Sequence, residues 1–332
     1  MAIIKYLKSF LVVCGAGIVS LAILSLFVLI YGFSGIHIAN KSGSTDFKWE
    51  SKQLKTNMTE GFSWIRLDTN GFNNPDDADS VEPDILIMGS SHMEAIHVRK
   101  DQNASAVLSS LLPEYSIYNI GISGHDIYQC AKNIRAAVDE YNPNYYLIIE
   151  TSTISFSNKK MESVLSGELS SIPSYDSGLL YLVQKYCPAI KSIYKHVDDW
   201  RKSDKRSDTG NSVSHGSEMN VETLNDFLAF MSSSVPDTCK LIIIYHPTTG
   251  LDAQGHLVLN SINDNITVFK SSCEKNGIIF VDTSESIANL YDEKHILAHG
   301  FINTAVGVGH LNEYGHRAIA ESLAEVIMED QK

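Results

Sequence analysis

Short apolar runs alternate with amphipathic stretches from Asp84 to the C-terminus. Each run is bounded by turn-forming residues, and within it apolar residues follow one another with few polar residues between them. This pattern is typical of strands buried on both faces of a parallel sheet. The predicted strands are Asp84–Met88, Ser116–Ile120, Tyr145–Ile149, Lys240–Tyr245 and Ile278–Val281. Helical spacing between them predicts helices at about Ala104–Leu112, Ile127–Glu140, Val221–Ser233, Leu257–Asn276 and Asn312–Met328. This alternation predicts an α/β fold with a doubly wound, five-stranded parallel sheet of the flavodoxin-like kind.

The alternation is interrupted between residues 154 and 220, where we expect an insertion. Leu179–Trp200 has the spacing of a helix, and the segment Arg201–Ser217 that follows is rich in Ser, Asp and Lys. So polar a segment buries too little apolar area to offset the entropy lost on ordering. The insertion is therefore predicted to be a helical lobe with a flexible segment.

The first apolar stretch, residues 10–33, contains no charged side chain. At about 1.5 Å rise per residue it covers the roughly 30 Å hydrocarbon core of a bilayer, so it is predicted to be a transmembrane anchor. Lys5 and Lys8 precede it and no Lys or Arg follows closely, which puts residues 1–9 in the cytoplasm. The alternative is a cleaved signal peptide, but the stretch exceeds a typical apolar signal region.

The rest of the chain is then expected to lie outside the cytoplasm as a stalk and a domain. Residues 34–62 are polar and without clear periodicity, and they are interpreted as an irregular stalk. Residues 63–332 are predicted to form the α/β domain.

Composition narrows the class of protein further. The chain has 44% hydrophobic and 20% charged residues, as a globular domain does, and its net charge of −13 argues against a nucleic-acid partner. The four cysteines after the anchor show no zinc-binding spacing, so we expect no metal and no cofactor. They could pair in three ways, but a domain of this size does not need disulfides, and we expect free thiols. These residues are Cys130, Cys187, Cys239 and Cys273.

Residues that directly follow the strands of an open parallel sheet form its usual binding crevice. Ser91 lies in Gly-Ser-Ser-His after the first predicted strand, and Gly124 lies in a glycine-containing stretch after the second. Glu150-Thr-Ser152-Thr follows the third strand, and His310 lies in Gly-His-Leu-Asn before the last helix.

In this order, these stretches resemble the blocks of the SGNH (GDSL) hydrolase superfamily, from about Asp84 to the C-terminus. The resemblance implies that Ser91 is the nucleophile and His310 its general base. It also implies that the backbone N–H groups of Ser91 and Gly124 stabilise the oxyanion. The chemistry is consistent with those roles, since a serine hydroxyl becomes nucleophilic when an imidazole accepts its proton.

The chain departs from the SGNH pattern at two positions. The family's Asn donor to the oxyanion is replaced, so Ser152 or Thr151 would have to donate instead. Gly307 stands where the family has the acid that orients the histidine. Either a Ser-His dyad acts alone, or Asp282 or Glu150 supplies the carboxylate from a neighbouring strand end. Asp282 has the alternative role of capping a helix that begins near Thr283.

The resemblance to membrane-anchored members that act on surface glycans gives a functional expectation. The protein is expected to be a serine acyl-esterase or O-acyltransferase that acts on an acylated extracytoplasmic carbohydrate through a Ser91-acyl intermediate. Sequence does not separate hydrolysis from transfer. The alternative is a catalytically silent SGNH-like domain that binds glycan or scaffolds polysaccharide assembly. His92, His246 and His299 are further candidates for lining the cleft, without an assigned role, and His316 is expected to be structural.

Overall fold

The computed structural model describes residues 2–31, 35–75, 78, 80–154, 156–172, 181–182, 185–190, 193, 219–259, 265–304 and 307–332. Its strands are β1 (His37–Ala39), β2 (Phe47–Trp49), β3 (Leu54–Asn57), β4 (Ser63–Arg66), β5 (Ile85–Met88), β6 (Ile117–Asn119), β7 (Tyr146–Thr151), β8 (Lys240–Tyr245), β9 (Thr249–Leu251), β10 (Leu257–Leu259) and β11 (Ile279–Asp282). Its helices are α1 (Ala2–Tyr31), α2 (Ser91–Glu94), α3 (Ala104–Leu111), α4 (Ile127–Tyr141), α5 (Asn158–Leu165), α6 (Val221–Ser233), α7 (Asn265–Lys275), α8 (Ser284–Lys294) and α9 (Glu313–Asp330).

The central sheet has five strands in the order β11-β8-β7-β5-β6, all parallel to their neighbours. These are the five strands that the apolar runs predicted, and the fold class is confirmed. The chain crosses between strands through helices, as parallel connections require. Because the strands are parallel, the loops that follow them all emerge at one edge of the sheet.

Each face of the sheet is covered by helices, and alternate residues of the same strand enter different cores. Ile85 and Ile87 pack with α3 and α9 on one face, whereas Leu86 and Met88 pack with α4 to α7 on the other. Both faces of β5 are therefore fully buried, which explains why its sequence is an uninterrupted apolar run.

The prediction of a single helix over Leu257–Asn276 was wrong at its N-terminal end. Leu257–Leu259 forms β10, which pairs antiparallel with β9, and the described part of the helix covers Asn265–Lys275. The side chain of Asp252 accepts hydrogen bonds from the backbone N–H groups of Gln254 and His256, and Gly255 has φ +84°. This turn chemistry favours a hairpin over a helix.

Most of the predicted insertion lies outside the described residues. This holds for Arg201–Ser217 and for most of Leu179–Trp200. The insertion's first part contains α5, which packs against α6 on one face of the sheet.

All five cysteines are free, as expected for the four that follow the N-terminal helix. Burial raises the pKa of Cys239 to about 12, so this thiol is neutral at physiological pH.

Residues 35–75, which we call the N-terminal arm, include most of residues 34–62, the segment that the sequence suggested to be an irregular stalk. They form two antiparallel hairpins, β1–β2 and β3–β4. Apolar side chains of the arm make a third core against the loops that follow β5 and β6. These buried residues are Phe47, Trp49, Ile65, Leu67, Ile96 and Ile122. The expectation failed because these apolar residues are too widely spaced to show a local period, although together they bury a core.

A buried carboxylate, Glu94 at the end of α2, fixes the arm to the domain. Trp49 Nε1 in the arm and Ser123 Oγ after β6 both donate hydrogen bonds to it. The ammonium of Lys55 lies 3.1 Å from the centre of the Trp49 ring. Burial raises the pKa of Glu94, and the charge of Lys55 and the two hydrogen bonds oppose that rise. This carboxylate joins the arm, α2 and the loop after β6 at one point.

The helix α1 is connected to the arm through its C-terminal end. Residues Ile4–Ile30 have a mean hydropathy of 2.7, and this segment is long and apolar enough to cross a membrane. Thr56 Oγ1 donates to Leu29 O at 3.1 Å, and Trp64 Nε1 donates to Ile30 O at 3.1 Å. The β3–β4 hairpin therefore lies against the end of α1.

We predict that Glu94→Ala lowers the free energy of unfolding by about 2–5 kcal/mol, because it leaves the donors of Trp49 and Ser123 without their acceptor and removes the carboxyl group near the Lys55 charge. Glu94→Gln is the matched control, since it keeps the side-chain size and the capacity to accept hydrogen bonds. It should lower the free energy of unfolding by less than Glu94→Ala does. Urea unfolding in detergent, followed by circular dichroism, measures both variants. Equal stability of Glu94→Ala and the unaltered protein would refute this role.

Candidate active site

The parallel sheet brings the predicted site residues to its carboxyl edge. Ser91 follows β5, Gly124 follows β6 and Ser152 follows β7. His310 lies just before α9, and residue Leu311 forms an isolated bridge with His299. Residues far apart in sequence thus share the edge where ligands bind in such sheets.

The turn that carries Ser91 is built from small residues and a short helix. Ser90 caps α2 by accepting a hydrogen bond from His92 N–H at 3.2 Å. A Cβ atom at Gly121 would overlap Met93 in that helix, so the loop after β6 approaches α2 only because residue 121 is glycine. Asn119 Nδ2 donates to Met93 O at 2.7 Å. The turn that carries Ser91 and the glycine loop after β6 are therefore packed as one unit.

Ser91 and His310 are in hydrogen-bond contact. His310 Nε2 lies 2.8 Å from Ser91 Oγ. The other ring nitrogen, Nδ1, lies 2.7 Å from Glu60 Oε2. A carboxylate only accepts, so Nδ1 carries the proton and Nε2 is left free to accept the proton of Ser91.

Glu60 is the carboxylate that orients His310, and it comes from the N-terminal arm. Its Oε1 accepts the backbone N–H of His310 at 2.7 Å, while Oε2 accepts from the ring. Burial acts to raise the pKa of Glu60, but these hydrogen bonds and the nearby imidazole hold it below the usual range of a glutamate. Glu60 is therefore ionised at neutral pH, as a histidine-orienting acid must be.

The two acids considered from the sequence, Asp282 and Glu150, do not bind His310. Asp282 Oδ1 accepts from the N–H of Ser284 at 2.9 Å and from the Ser284 hydroxyl at 2.6 Å. It lies one residue before Thr283, which is the N-cap residue of α8 in its place. Glu150 Oε2 accepts the N–H of Ser90 at 2.8 Å, and its Oε1 lies 2.9 Å from His246 Nε2. The prediction of an acid from a neighbouring strand end is therefore corrected.

Glu150 instead supports the turn that carries Ser91. It is 2% exposed, and burial would favour its neutral form. The hydrogen bonds from His246 and from Ser90 N–H nevertheless hold the pKa of Glu150 below its usual value. A buried carboxylate thus fixes the residue directly before Ser91, and His246 in turn fixes Glu150.

The turn that contains Glu60 is fixed by amide side chains from two directions. Asn57 Nδ2 donates to Glu60 O at 2.9 Å. Asn303 Oδ1 accepts Gly61 N–H at 2.9 Å, and Asn303 Nδ2 donates to Met58 O at 3.0 Å. The arm and the loop that precedes His310 are joined by these bonds, which explains how Glu60 reaches the imidazole.

Three groups are candidates for binding an oxyanion. In the described part of the chain, the N–H groups of Ser91 and Gly124 and the hydroxyl of Ser152 have no hydrogen-bond partner. Gly124 has φ +90°, a conformation that favours glycine and turns the backbone after Ser123. Thr151 Oγ1 is committed to Thr153 O at 2.9 Å, so Ser152 is the better candidate of the two. These groups are free to receive a ligand at the same edge of the sheet.

Neutral histidines surround His310. The ring of His97 stacks on it at 3.7 Å between centroids, and His92 lies 5.2 Å away. Burial, assisted by the nearby imidazoles, lowers the pKa of His97 to about 4 and that of His299 to about 3. Burial also lowers the pKa of His92 well below its usual value. At neutral pH these rings add no positive charge beside His310.

Glu60, His97 and His310 also form the described cluster that comes nearest to a metal site. One ligand atom from each lies within 4.8 Å of the other two. However, Glu60 Oε2 and His310 Nδ1 are 2.7 Å apart, a hydrogen-bond distance. Two ligands at about 2.0–2.2 Å from a tetrahedral zinc ion would be separated by more than 3 Å. The arrangement therefore fits a shared proton better than a shared metal ion.

Sequence reasoning missed Glu60 and the supporting role of His246. Glu60 lies in Asn57-Met-Thr-Glu-Gly, which reads as an ordinary polar turn. One weak signal was present, the glycine that follows the acid. It does not point to His310, which lies 250 residues away.

Comparisons with known proteins find similarity only among solved structures. No family model and no curated protein matches the chain. A member of the lipolytic G-D-S-L family from Veillonella parvula is 14% identical with a TM-score of 0.42, covering 74% of this chain and 97% of that one. An acetyl xylan esterase is 15% identical with a TM-score of 0.41, and the match covers 73% of this chain and 99% of the esterase chain. The psychrotrophic esterase EstA from Pseudoalteromonas is 12% identical with a TM-score of 0.40, and the match covers 76% of this chain and 99% of the EstA chain.

We predict that stability falls as the pH is lowered from 7.5 to 5. Unfolded histidines take up protons near pH 6.5, whereas the folded chain keeps His97 and His125 neutral to about pH 4 and His299 and His316 to about pH 3. The unfolded state therefore binds more protons than the folded state between pH 7.5 and 5. Each such histidine lowers the free energy of unfolding by up to about 1.4 kcal/mol for each unit by which the pH falls. Urea unfolding at a series of pH values measures the slope, and equal or greater stability at pH 5 would contradict it.

We also predict that Gly309→Ala lowers the reactivity of the Ser91 hydroxyl more than Gly307→Ala does. Both positions have positive φ, +103° and +73°, so both variants carry similar backbone strain of about 1–3 kcal/mol. Only a Cβ at residue 309 would overlap Glu60 Oε1, whereas at residue 307 the nearest atom is Leu297 Cδ1 at 3.3 Å. The rate of Ser91 labelling by a fluorophosphonate should fall about tenfold more in Gly309→Ala, and equal rates in the two variants would count against the contact.

Proposed function

We propose that this protein is a serine acyl-esterase or O-acyltransferase of the SGNH type that acts on an acylated extracytoplasmic carbohydrate. The observation that carries the proposal is the continuous hydrogen-bonded chain Ser91–His310–Glu60, with distances of 2.8 Å and 2.7 Å. A serine, a histidine of the correct tautomer and an ionised acid are the groups that nucleophilic acyl transfer needs.

The reaction follows from this geometry in two halves. Ser91 Oγ attacks the acyl carbonyl carbon while its proton passes to His310 Nε2, and the carbonyl oxygen becomes an oxyanion bound by Ser91 N–H, Gly124 N–H and the Ser152 hydroxyl. The C–O bond to the sugar breaks, and the departing oxygen takes the proton from His310. An ester on Ser91 remains.

In the second half, His310 removes a proton from a water molecule or from a second sugar hydroxyl. The oxygen attacks the acyl carbon, and Ser91 leaves with the proton from His310. Water gives hydrolysis and a sugar gives transfer. Throughout, Glu60 stays ionised and stabilises the imidazolium that forms in each half.

The alternative of a catalytically silent domain that binds glycan or scaffolds polysaccharide assembly rested on two absences, the orienting acid at Gly307 and the family's Asn donor. Glu60, from the N-terminal arm, supplies a carboxylate to Nδ1 of His310. This contact favours the enzyme over the silent domain. The loss of the family's Asn donor still lowers the expected rate, because one oxyanion donor is typically worth about 10²–10³ in kcat.

The location is proposed from α1 and the charge around it. A helix long and apolar enough to span a bilayer, with Lys5 and Lys8 at its start, supports a single-pass protein whose domain lies outside the cytoplasm. The net charge of −13 favours an uncharged or partly cationic sugar over a polyanion.

The proposal predicts that the full-length protein in detergent is labelled at Ser91 by a fluorophosphonate and releases acetate from an acetylated sugar. Ser91→Ala should abolish both signals, because no other hydroxyl contacts His310 Nε2 among the described residues. If the unaltered protein gives no more signal than Ser91→Ala, the silent binding domain is the correct alternative.

A second prediction separates Glu60 from the acids suggested by the sequence. Glu60→Gln should lower kcat by about 10²–10⁴, because the amide no longer selects the reactive tautomer of His310 or stabilises its charged form. Asp282→Asn is the control and should leave kcat within about twofold. If the two variants are equally active, Glu60 is not the orienting acid.

A further inference from the structure

The outer surface of the β3–β4 hairpin is apolar. Leu54, Phe62 and Trp64 are 51%, 58% and 61% exposed. Residues 62, 64 and 66 alternate with buried residues 61, 63, 65 and 67, so their side chains share the outer face of the strand. Large apolar side chains clustered on one face of a hairpin indicate a contact surface rather than scattered exposure.

This surface continues to the loop that precedes His310. Ile302 is 95% exposed, and its neighbour Asn303 is hydrogen-bonded to the turn that holds Glu60. Phe62, Ile302 and Tyr314 line a cavity of about 340 Å³ that is also bordered by His97, whose ring stacks on His310. The apolar side chains therefore surround the region beside the proposed catalytic base.

The charge of the hairpin differs from that of the whole chain. Among the exposed side chains of residues 51–66, the charged ones are Lys52 and Arg66, both cationic. The protein as a whole carries a net charge of −13. A cationic, aromatic and aliphatic surface is the composition expected at the interface with an anionic bilayer.

The hairpin is also continuous with α1. Thr56 and Trp64 donate hydrogen bonds to the carbonyl groups of Leu29 and Ile30 in its last turns. A bilayer that contains α1 would end close to these residues, with Trp64 at the level where tryptophan side chains are enriched.

We propose that the β3–β4 hairpin rests on the anionic surface of the bilayer that holds α1. The Ser91 site then opens at the membrane surface and takes acyl esters carried by membrane-resident molecules. The docking surface consists of Leu54, Phe62, Trp64 and Ile302, with Lys52 and Arg66 beside it. The substrate part rests on the proposed function, whereas the docking part does not.

Docking is tested by quenching of tryptophan fluorescence in the full-length protein reconstituted into nanodiscs. The difference between the protein and its Trp64→Phe variant isolates the signal of Trp64. Lipids brominated near the headgroup end of their chains should quench that signal at least twofold, and more strongly in phosphatidylglycerol-containing discs than in pure phosphatidylcholine. An unquenched Trp64 overturns the docking, and quenching that is equal in both lipids overturns the role of the cations.

The substrate part is tested by the ratio of two turnover rates in the same nanodiscs, one on a membrane-resident acyl ester and one on a water-soluble acetyl ester. A Leu54→Ser/Trp64→Ser variant should lower this ratio about tenfold. Val258→Ser on β10 is the matched control, because Val258 is also exposed on a short antiparallel hairpin. An unchanged ratio overturns the membrane-resident substrate, whereas no turnover of either ester refutes the proposed function and leaves the quenching result to decide docking.

Discussion

Glu60 accepts two hydrogen bonds from a single residue, His310, and the geometry of the site depends on this contact. One oxygen fixes the backbone of the loop and the other fixes the imidazole ring. The contact requires glycine at residue 309, because a side chain there would occupy the space of the carboxylate. It also requires the arm to lie against the domain, since no strand of the central sheet carries Glu60.

Two further buried carboxylates hold the parts that this contact needs. Glu94 ties Trp49 of the arm to Ser123 in the glycine loop, and Glu150 ties Ser90 to His246. The pKa values of these two carboxyl groups shift in opposite directions for a physical reason. Glu150 receives enough hydrogen bonds for its pKa to fall despite burial, whereas for Glu94 burial dominates and its pKa rises. The neutral histidines around His310 have the same origin, because burial disfavours an additional positive charge.

The arm connects α1 to the Ser91–His310–Glu60 site. It begins where α1 ends, supplies Glu60, and exposes an apolar face beside it. The β3–β4 hairpin therefore carries Glu60 and also contacts the end of α1. The proposed anchor and the proposed active site thus share one segment of about forty residues, 35–75.

The five strands of the sheet could be predicted from the sequence because strands buried on both faces are continuous apolar runs, a signal that is local. The same holds for α1, and the short motifs around Ser91 and His310 were enough to suggest that the two residues meet. The strands of the arm could not be predicted, since their apolar residues pack against loops elsewhere. The orienting acid could not be predicted either, because Gly307 leaves no carboxylate near His310 in sequence. Only the tertiary structure brings Glu60 to a histidine 250 residues away, through side-chain hydrogen bonds that have no local period.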